Sequence, residues 1–281
     1  MGASLAVLLQ QTLTAAPAQQ PQVDLTALSL EQLMTIETTA GKKIQTLADV
    51  PAAVFVISGE DIRRGGFRNL PEALRMAPGV QVAQINANQW AISIRGFNAP
   101  YSNKLLVLLD GRVVYTPAFG GVFWDVQDLL LEDVERIEVI RGPGGTLWGE
   151  NAVNGVINVI TKVAGETKGT FAEAAAESGD GGFVGTRYGG GVGTAGDYRV
   201  YAKYFHHSYA AGARTAPEEW TQARGGFRVD WRAGAEDTWS VQGAGYSGSS
   251  ILNGRDVSLA PPFSSVVEHA GQRAVLAVDK H

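Results

Sequence analysis

The sequence predicts an α+β domain followed by an antiparallel transmembrane β-barrel, truncated, with about six strands present. Three observations carry this. Between Pro51 and Lys162, short capped helices alternate with apolar strands. Beyond Lys162 there follow segments of ~10 residues in which apolar and polar side chains take opposite parities, the pattern of tilted strands crossing a bilayer. The connections between those segments alternate between short and long, as barrel turns and loops do.

Composition narrows the function. The chain has 281 residues, 35 glycines and a net charge of -5, which gives no electrostatic case for binding nucleic acid. There is no cysteine, so disulfides and thiolate metal sites are excluded. His206, His207, His269 and His281 include no pair at metal-helix spacing, so neither a metal nor a cofactor is expected. No run approaches the ~20 apolar residues of a spanning helix, which says nothing against a barrel.

The start, residues 1–18, has an apolar stretch from Ala3 to Leu9 and a small-residue Ala16-Pro17-Ala18. It reads as an export signal without the usual basic front, or as a plain N-terminal tail. Residues 19–43 are polar and lack lasting periodicity; Ser29 to Met34 fits one helical turn. Thr35 to Ala40 is β-prone with nothing local to pair with.

The domain proper, residues 44–165, opens on the strand Val54 to Ile57. Ser58 with Asp61 makes a capping box for a short helix ended by Gly65-Gly66. Pro71 announces a second helix, stopped by Pro78-Gly79. Strands are expected at Val80 to Ile85, Trp90 to Arg95, Leu105 to Leu109 and Arg112 to Tyr115, with Asp110-Gly111 as a tight hairpin turn. The nonapeptide Glu135 to Pro143 alternates charged and apolar residues, a strand with one wet and one dry face, and Val156 to Ile160 closes the region.

In residues 166–281, the clearest segment sets Ala223, Phe227, Val229 and Trp231 against Gln222, Arg224, Arg228, Asp230 and Arg232. Another sets Tyr198, Val200, Ala202 and Tyr204 against Arg199, Tyr201 and Lys203. Thr194 to Asp197 and Ala233 to Asp237 read as short connections, His206 to Glu219 and Ser247 to Gly271 as long ones. A β-sandwich is the alternative, but it does not predict that alternation. Closing a membrane barrel takes at least about eight strands, so the chain is expected to be a fragment or a truncated product.

Val50 to Ile57, Ile94-Arg95-Gly96-Phe97, Leu108 to Arg112, Glu135 to Pro143 and Asn154 to Lys162, in that order, resemble the plug domain of TonB-dependent outer-membrane receptors. The resemblance implies a barrel of about 22 strands filled by the plug. It implies active import of a scarce nutrient, a ferric siderophore or cobalamin-like chelate, driven by TonB from the inner membrane. Other implied roles are a ligand-binding or signalling receptor without transport, or carbohydrate import.

Several residues take roles from that resemblance. Thr35, Ile36, Glu37, Thr38, Thr39 and Ala40 occupy the place of the TonB box, which adds as a strand to its partner; an ordinary linker is the alternative. Arg95 and Arg141 match arginines that lock the plug to barrel carboxylates through bidentate pairing. The outward turns supply Asn86, Asn88, Gln89, Asn98, Tyr101, Asn103, Tyr115, Phe123 and Trp124 for ligand contact, Tyr101 and Tyr115 foremost. Enzyme motifs are not found: Arg141 to Gly145 lacks the Lys-Ser/Thr of a phosphate loop, and Gly243 to Ser249 is no nucleophile elbow.

Overall fold

The computed structural model describes residues 37–38, 45–46, 52–115, 120–177, 181–209, 218–232, 237–256 and 263–280. The expected export signal and the helical turn at Ser29 to Met34 lie outside them. Strand β1 (Glu37–Thr38) pairs antiparallel with β2 (Gln45–Thr46). The expectation that Thr35 to Ala40 has no local partner is therefore corrected, because the intervening residues are long enough to fold the chain back on itself. Thr35, Ile36, Thr39 and Ala40 lie outside the described residues.

Strand β3 (Ala53–Ser58) leads into helix α1 (Gly59–Gly65). Ser58 and Asp61 form a reciprocal capping box, with the Asp61 N–H donating to Ser58 Oγ at 3.1 Å and the Ser58 N–H donating to Asp61 Oδ2 at 2.9 Å. Gly66 ends the helix in the left-handed conformation, at φ 62°. Helix α2 (Leu70–Ala73) starts at Asn69, whose side chain caps the Glu72 N–H, and tightens into a 3-10 turn over Leu74–Met76.

Strands β4 (Val80–Gln84) and β5 (Trp90–Ile94) form a separate hairpin. Ile85 belongs to its tip, donating its N–H to the Gln89 carbonyl at 2.8 Å. Strands β6 (Leu105–Leu109) and β7 (Arg112–Val113) turn at Asp110-Gly111, at φ 47° and 76°. The strand expected through Tyr115 stops at Val113, because the Tyr115 hydroxyl is drawn back to the Leu105 carbonyl at 2.6 Å. Strand β8 (Val134–Arg141), a short helix α3 (Gly145–Trp148) and β9 (Gly155–Thr161) complete a mixed sheet in the order β3-β8-β9-β6-β7, with β6 and β9 parallel.

This sheet is buried on both faces. One carries Leu105, Val107, Ile137, Val139, Ile157 and Val159 into the main core; the other carries Leu106, Leu108, Ile140 and Val156 into a second cluster. Periodicity alone reads the nonapeptide with one wet face, whereas the resemblance implies a strand whose two faces both find partners; in the fold Glu138 is wholly buried, with Arg136 Nε donating to it at 2.9 Å. A buried carboxyl needs such a partner, and the strand lies centrally in the sheet. A Cβ at Gly155 would overlap the Ile140 carbonyl, so glycine is what lets β8 and β9 approach there.

Beyond a 3-10 turn at Ala164–Thr167, six antiparallel strands pair in sequence order: β10 (Gly169–Glu177), β11 (Gly181–Val192), β12 (Gly196–Tyr209), β13 (Glu218–Arg232), β14 (Thr238–Asp256) and β15 (Phe263–Lys280). The long connection expected from Ser247 to Gly271 is mostly strand. Its Gly- and Ser-rich residues carry no apolar alternation, yet the ladder continues from Ser247↔Gln272 to Asp256↔Phe263. Val184, Tyr188, Val200, Tyr204, Phe227 and Trp231 face outward and exposed, whereas Arg199, Lys203, Gln222 and Arg228 are buried against the α+β domain. Trp231 and Trp239 pair across the adjoining ends of β13 and β14.

Candidate functional site

Three places carry polar chemistry. The first is the tip of the β4-β5 hairpin. Asn86 organises it: its side-chain oxygen accepts from the N–H groups of Asn88 and Gln89 at 3.2 and 2.9 Å, and its amide donates to Gln89 Oε1 at 2.7 Å. Gln89 Nε2 in turn contacts the Tyr101 hydroxyl at 3.2 Å, and the Tyr101 ring leans on Phe123 with centroids 4.8 Å apart. Arg95, Phe97 and Tyr101 all hold positive φ, at 57°, 56° and 58°. That left-handed backbone is costly for non-glycine residues and clusters where a loop is shaped for a task.

Among the expected ligand residues, the structure thus brings Asn86, Gln89, Tyr101 and Phe123 together. Asn98 and Asn103 are exposed. Asn88 and Trp124 are buried, Trp124 in the main core. Tyr115 is fastened to a backbone carbonyl, and burial pushes its phenol up to about 12, with the Leu105 hydrogen bond opposing. Burial first, and Asp125 second, also raise Tyr101.

The second place is the seam between domain and wall. Lys203 Nζ lies 2.8 Å from Asp128 Oδ2 and also donates to the Arg68 and Leu129 carbonyls. Arg187 pairs with Asp133, and Arg199 donates to Thr161 Oγ1 at 2.8 Å and to the Lys162 carbonyl at 2.5 Å. Arg228 donates to Thr161 Oγ1 at 3.0 Å and lies 3.8 Å from Asp110. Arg224 donates to the Val126 carbonyl at 2.7 Å, and Gln222 to that of Asp125 at 3.1 Å. Asp230 reverses the direction, accepting the Ala164 N–H at 2.6 Å.

The wall therefore presents cations to carboxylates and carbonyls of the domain. The sequence parity exposed Arg199, Lys203, Gln222, Arg224 and Arg228 as one inward row. Of their partners, Asp110 stood out in the sequence only as a turn residue, and Asp128 and Asp133 fall in no motif or period, so nothing in the sequence marked the three as ion-pair partners.

The third place is the pair Arg95 and Arg141. The Arg141 guanidinium lies beside Gly79 and that of Arg95 beside Gly142, and Arg141 Nη1 donates to the Pro78 carbonyl at 3.3 Å. Arg141 Nε is buried without a hydrogen bond among the described residues. No ion pair joins either arginine to a described carboxylate. Glu135 and Glu138 serve Arg136 instead.

Residues 46–156 match the family described as the TonB-dependent receptor plug domain. The α+β domain is such a plug. The vitamin B12 transporter BtuB of Vibrio vulnificus is 38% identical over 146 residues, 51% of this chain and 23% of the relative. The iron-regulated outer membrane virulence protein of Vibrio cholerae is 39% identical over 133 residues, 46% of this chain and 20% of that one. The chain thus spans under a quarter of the length of these curated relatives. A solved structure of the ferric enterobactin receptor PfeA of Pseudomonas aeruginosa superposes with a TM-score of 0.53 at 23% identity, over 72% of this chain and 34% of that one. That likeness is one of fold, and it extends past the plug into the antiparallel strands, which are arranged like the start of a TonB-dependent receptor barrel. The first of these is named as a transporter, the second as an outer membrane virulence protein and the third as a receptor.

Proposed function

We propose that the chain is the plug and first wall strands of an outer-membrane receptor that imports a scarce nutrient, a ferric siderophore or a cobalamin-like chelate, with energy supplied by TonB. One observation carries the reading: the plug is pinned to the polar face of a strand sheet whose opposite face is apolar. A water-soluble receptor has no use for that outer row of Val184, Val200, Tyr204 and Phe227, and outer-membrane lipid does. In this reading the boundaries are 1–18 for an export signal, 19–43 for the TonB-box segment, 44–165 for the plug and 166–281 for the barrel strands.

In this reading the hairpin tip, bonded to Glu218 at the end of β13 away from the turn at 193–195, lies at the extracellular end of such a barrel. Amides and aromatics around Asn86, Gln89, Tyr101 and Phe123 suit a bulky, neutral or chelated ligand, with Asn98 and Asn103 at the rim. Arg95 and Arg141 would take carboxylates from wall strands other than the described ones. Glu37 and Thr38, already paired with Thr46 and Gln45, make the box a segment that must exchange one strand partner for another when TonB binds.

Uptake of ferric enterobactin and cyanocobalamin by a knockout strain carrying the complete gene tests this. Import of one of them that stops when TonB is removed is the expected result. Binding without uptake would leave a receptor that does not transport. Deleting Thr35 to Ala40 should abolish uptake while leaving surface binding intact; uptake that survives the deletion overturns the box.

A further inference from the structure

The tip of the plug hairpin is not held by the plug alone. Glu218, the first residue of β13, is wholly buried and accepts the Ala87 N–H at 2.9 Å, across 131 positions of sequence. Ala87 is itself buried, and sits between Asn86 and Asn88 in the turn. Two residues along the same inward row, Trp220 meets Trp90 edge-on with centroids 5.5 Å apart, and Phe205 packs against Trp220 at 4.5 Å. The wall thus grips the turn at its apex, by one hydrogen bond at Ala87, and at the start of β5, by one aromatic contact at Trp90.

We propose that Glu218 is a positioning residue for ligand recognition. It fixes Ala87, and through the turn sets Asn86, Gln89 and the Tyr101 hydroxyl that Gln89 holds. Glu218 is too buried to touch a ligand itself. Its removal would leave the Ala87 N–H inside the seam without this acceptor, and a buried unsatisfied donor drives the turn to rearrange. The Asn86 oxygen holds two neighbouring N–H groups, so a shift at Ala87 carries the whole contact set with it. The inference rests on the import-receptor reading only for the class of ligand.

The test uses the complete receptor in detergent, as wild type, Glu218→Gln and Glu218→Ala. Amide exchange over residues 84–101 is read by mass spectrometry, alongside binding of ferric enterobactin and cyanocobalamin. In Glu218→Ala, exchange at Ala87 is expected to quicken by roughly 10-fold or more, and affinity for the probe that binds wild type to fall by a similar factor. Glu218→Gln, which keeps an acceptor oxygen, is expected to stay within about 3-fold on both measures.

Unchanged exchange in Glu218→Ala, or faster exchange with unchanged affinity, overturns the proposal. If neither probe binds wild type, the assigned ligand class fails; the positioning role is then decided by whether exchange quickens from Ala87 through Gln89 to Tyr101 or at no residue beyond Ala87. Should the Ala variant not assemble, Glu218→Asp, one methylene shorter, carries the same comparison.

Discussion

At the scale of the residue, the plug and wall are joined by charges that run opposite to the lock implied by family resemblance. Arg187, Arg199, Lys203 and Arg228 come from the wall, and Asp110, Asp128 and Asp133 from the plug. Each is buried enough that breaking one partner leaves an uncompensated charge, which costs about 3–5 kcal/mol. Asp133 serves both Arg187 and Arg199, so Asp133→Ala should lower the urea midpoint for plug release by more than Arg95→Ala does on this side of the barrel. Equal midpoints for Asp133→Ala and wild type would show that the seam holds little.

Tyr115 offers a second measurement at this scale. Its phenol is raised to about 12 in the fold, against ~10 for a free tyrosine. A raised pKa means the folded plug holds the proton more tightly than the unfolded chain does. The stability this contributes is fully present below about pH 10 and is lost as pH climbs through 12. An ultraviolet titration of wild type minus Tyr115→Phe should show one phenol ionising near the top of that window; ionisation near 10 would place Tyr115 in water.

At the scale of the element, local chemistry decides most starts and stops. Ser58, Asp61 and Gly66 delimit α1 with little help from outside, so Ser58→Ala should cost ~1 kcal/mol by thermal unfolding of the plug. A loss below the error of that measurement would mean the β3 and β8 packing holds α1 without its cap. The sheet elements are different. β7 is two residues long because Tyr115 is claimed by Leu105, and β14 extends through Gly248, Ser249 and Ser250 because β15 lies beside it. Strand length in a sheet is set by the neighbour, and the neighbour of β14 cannot be read from β14.

At the scale of the molecule, the two faces of one strand meet two different surroundings. On β13, Phe227 points outward and Arg228 points to the plug. Phe227→Arg should impair barrel assembly, since a charge on the lipid face costs roughly 2–4 kcal/mol near the bilayer midplane. Arg228→Leu should leave assembly intact and loosen the plug. Heat-modifiable electrophoresis of the complete receptor separates these outcomes, and identical behaviour of the two variants would remove the case for a lipid-facing side.

The sequence by itself determined the order of the parts: two capped helices, the apolar strands of the plug, the Asp110-Gly111 hairpin, and six alternating strands with an inward cationic row. These follow from periodicity and capping, which act over a few residues. It also singled out Asn86, Gln89, Tyr101 and Phe123, whose meeting the structure shows, but with them Trp124 and Tyr115, whose surroundings are core and carbonyl. Only the tertiary structure decided that Glu138 of β8 is wholly buried, that Asp110, Asp128 and Asp133 receive the wall's cations, and that Glu218 reaches Ala87. Those contacts join residues tens to more than a hundred positions apart. Their partners are chosen by burial, where an unpaired charge or donor is expensive, and burial exists only once the chain has folded.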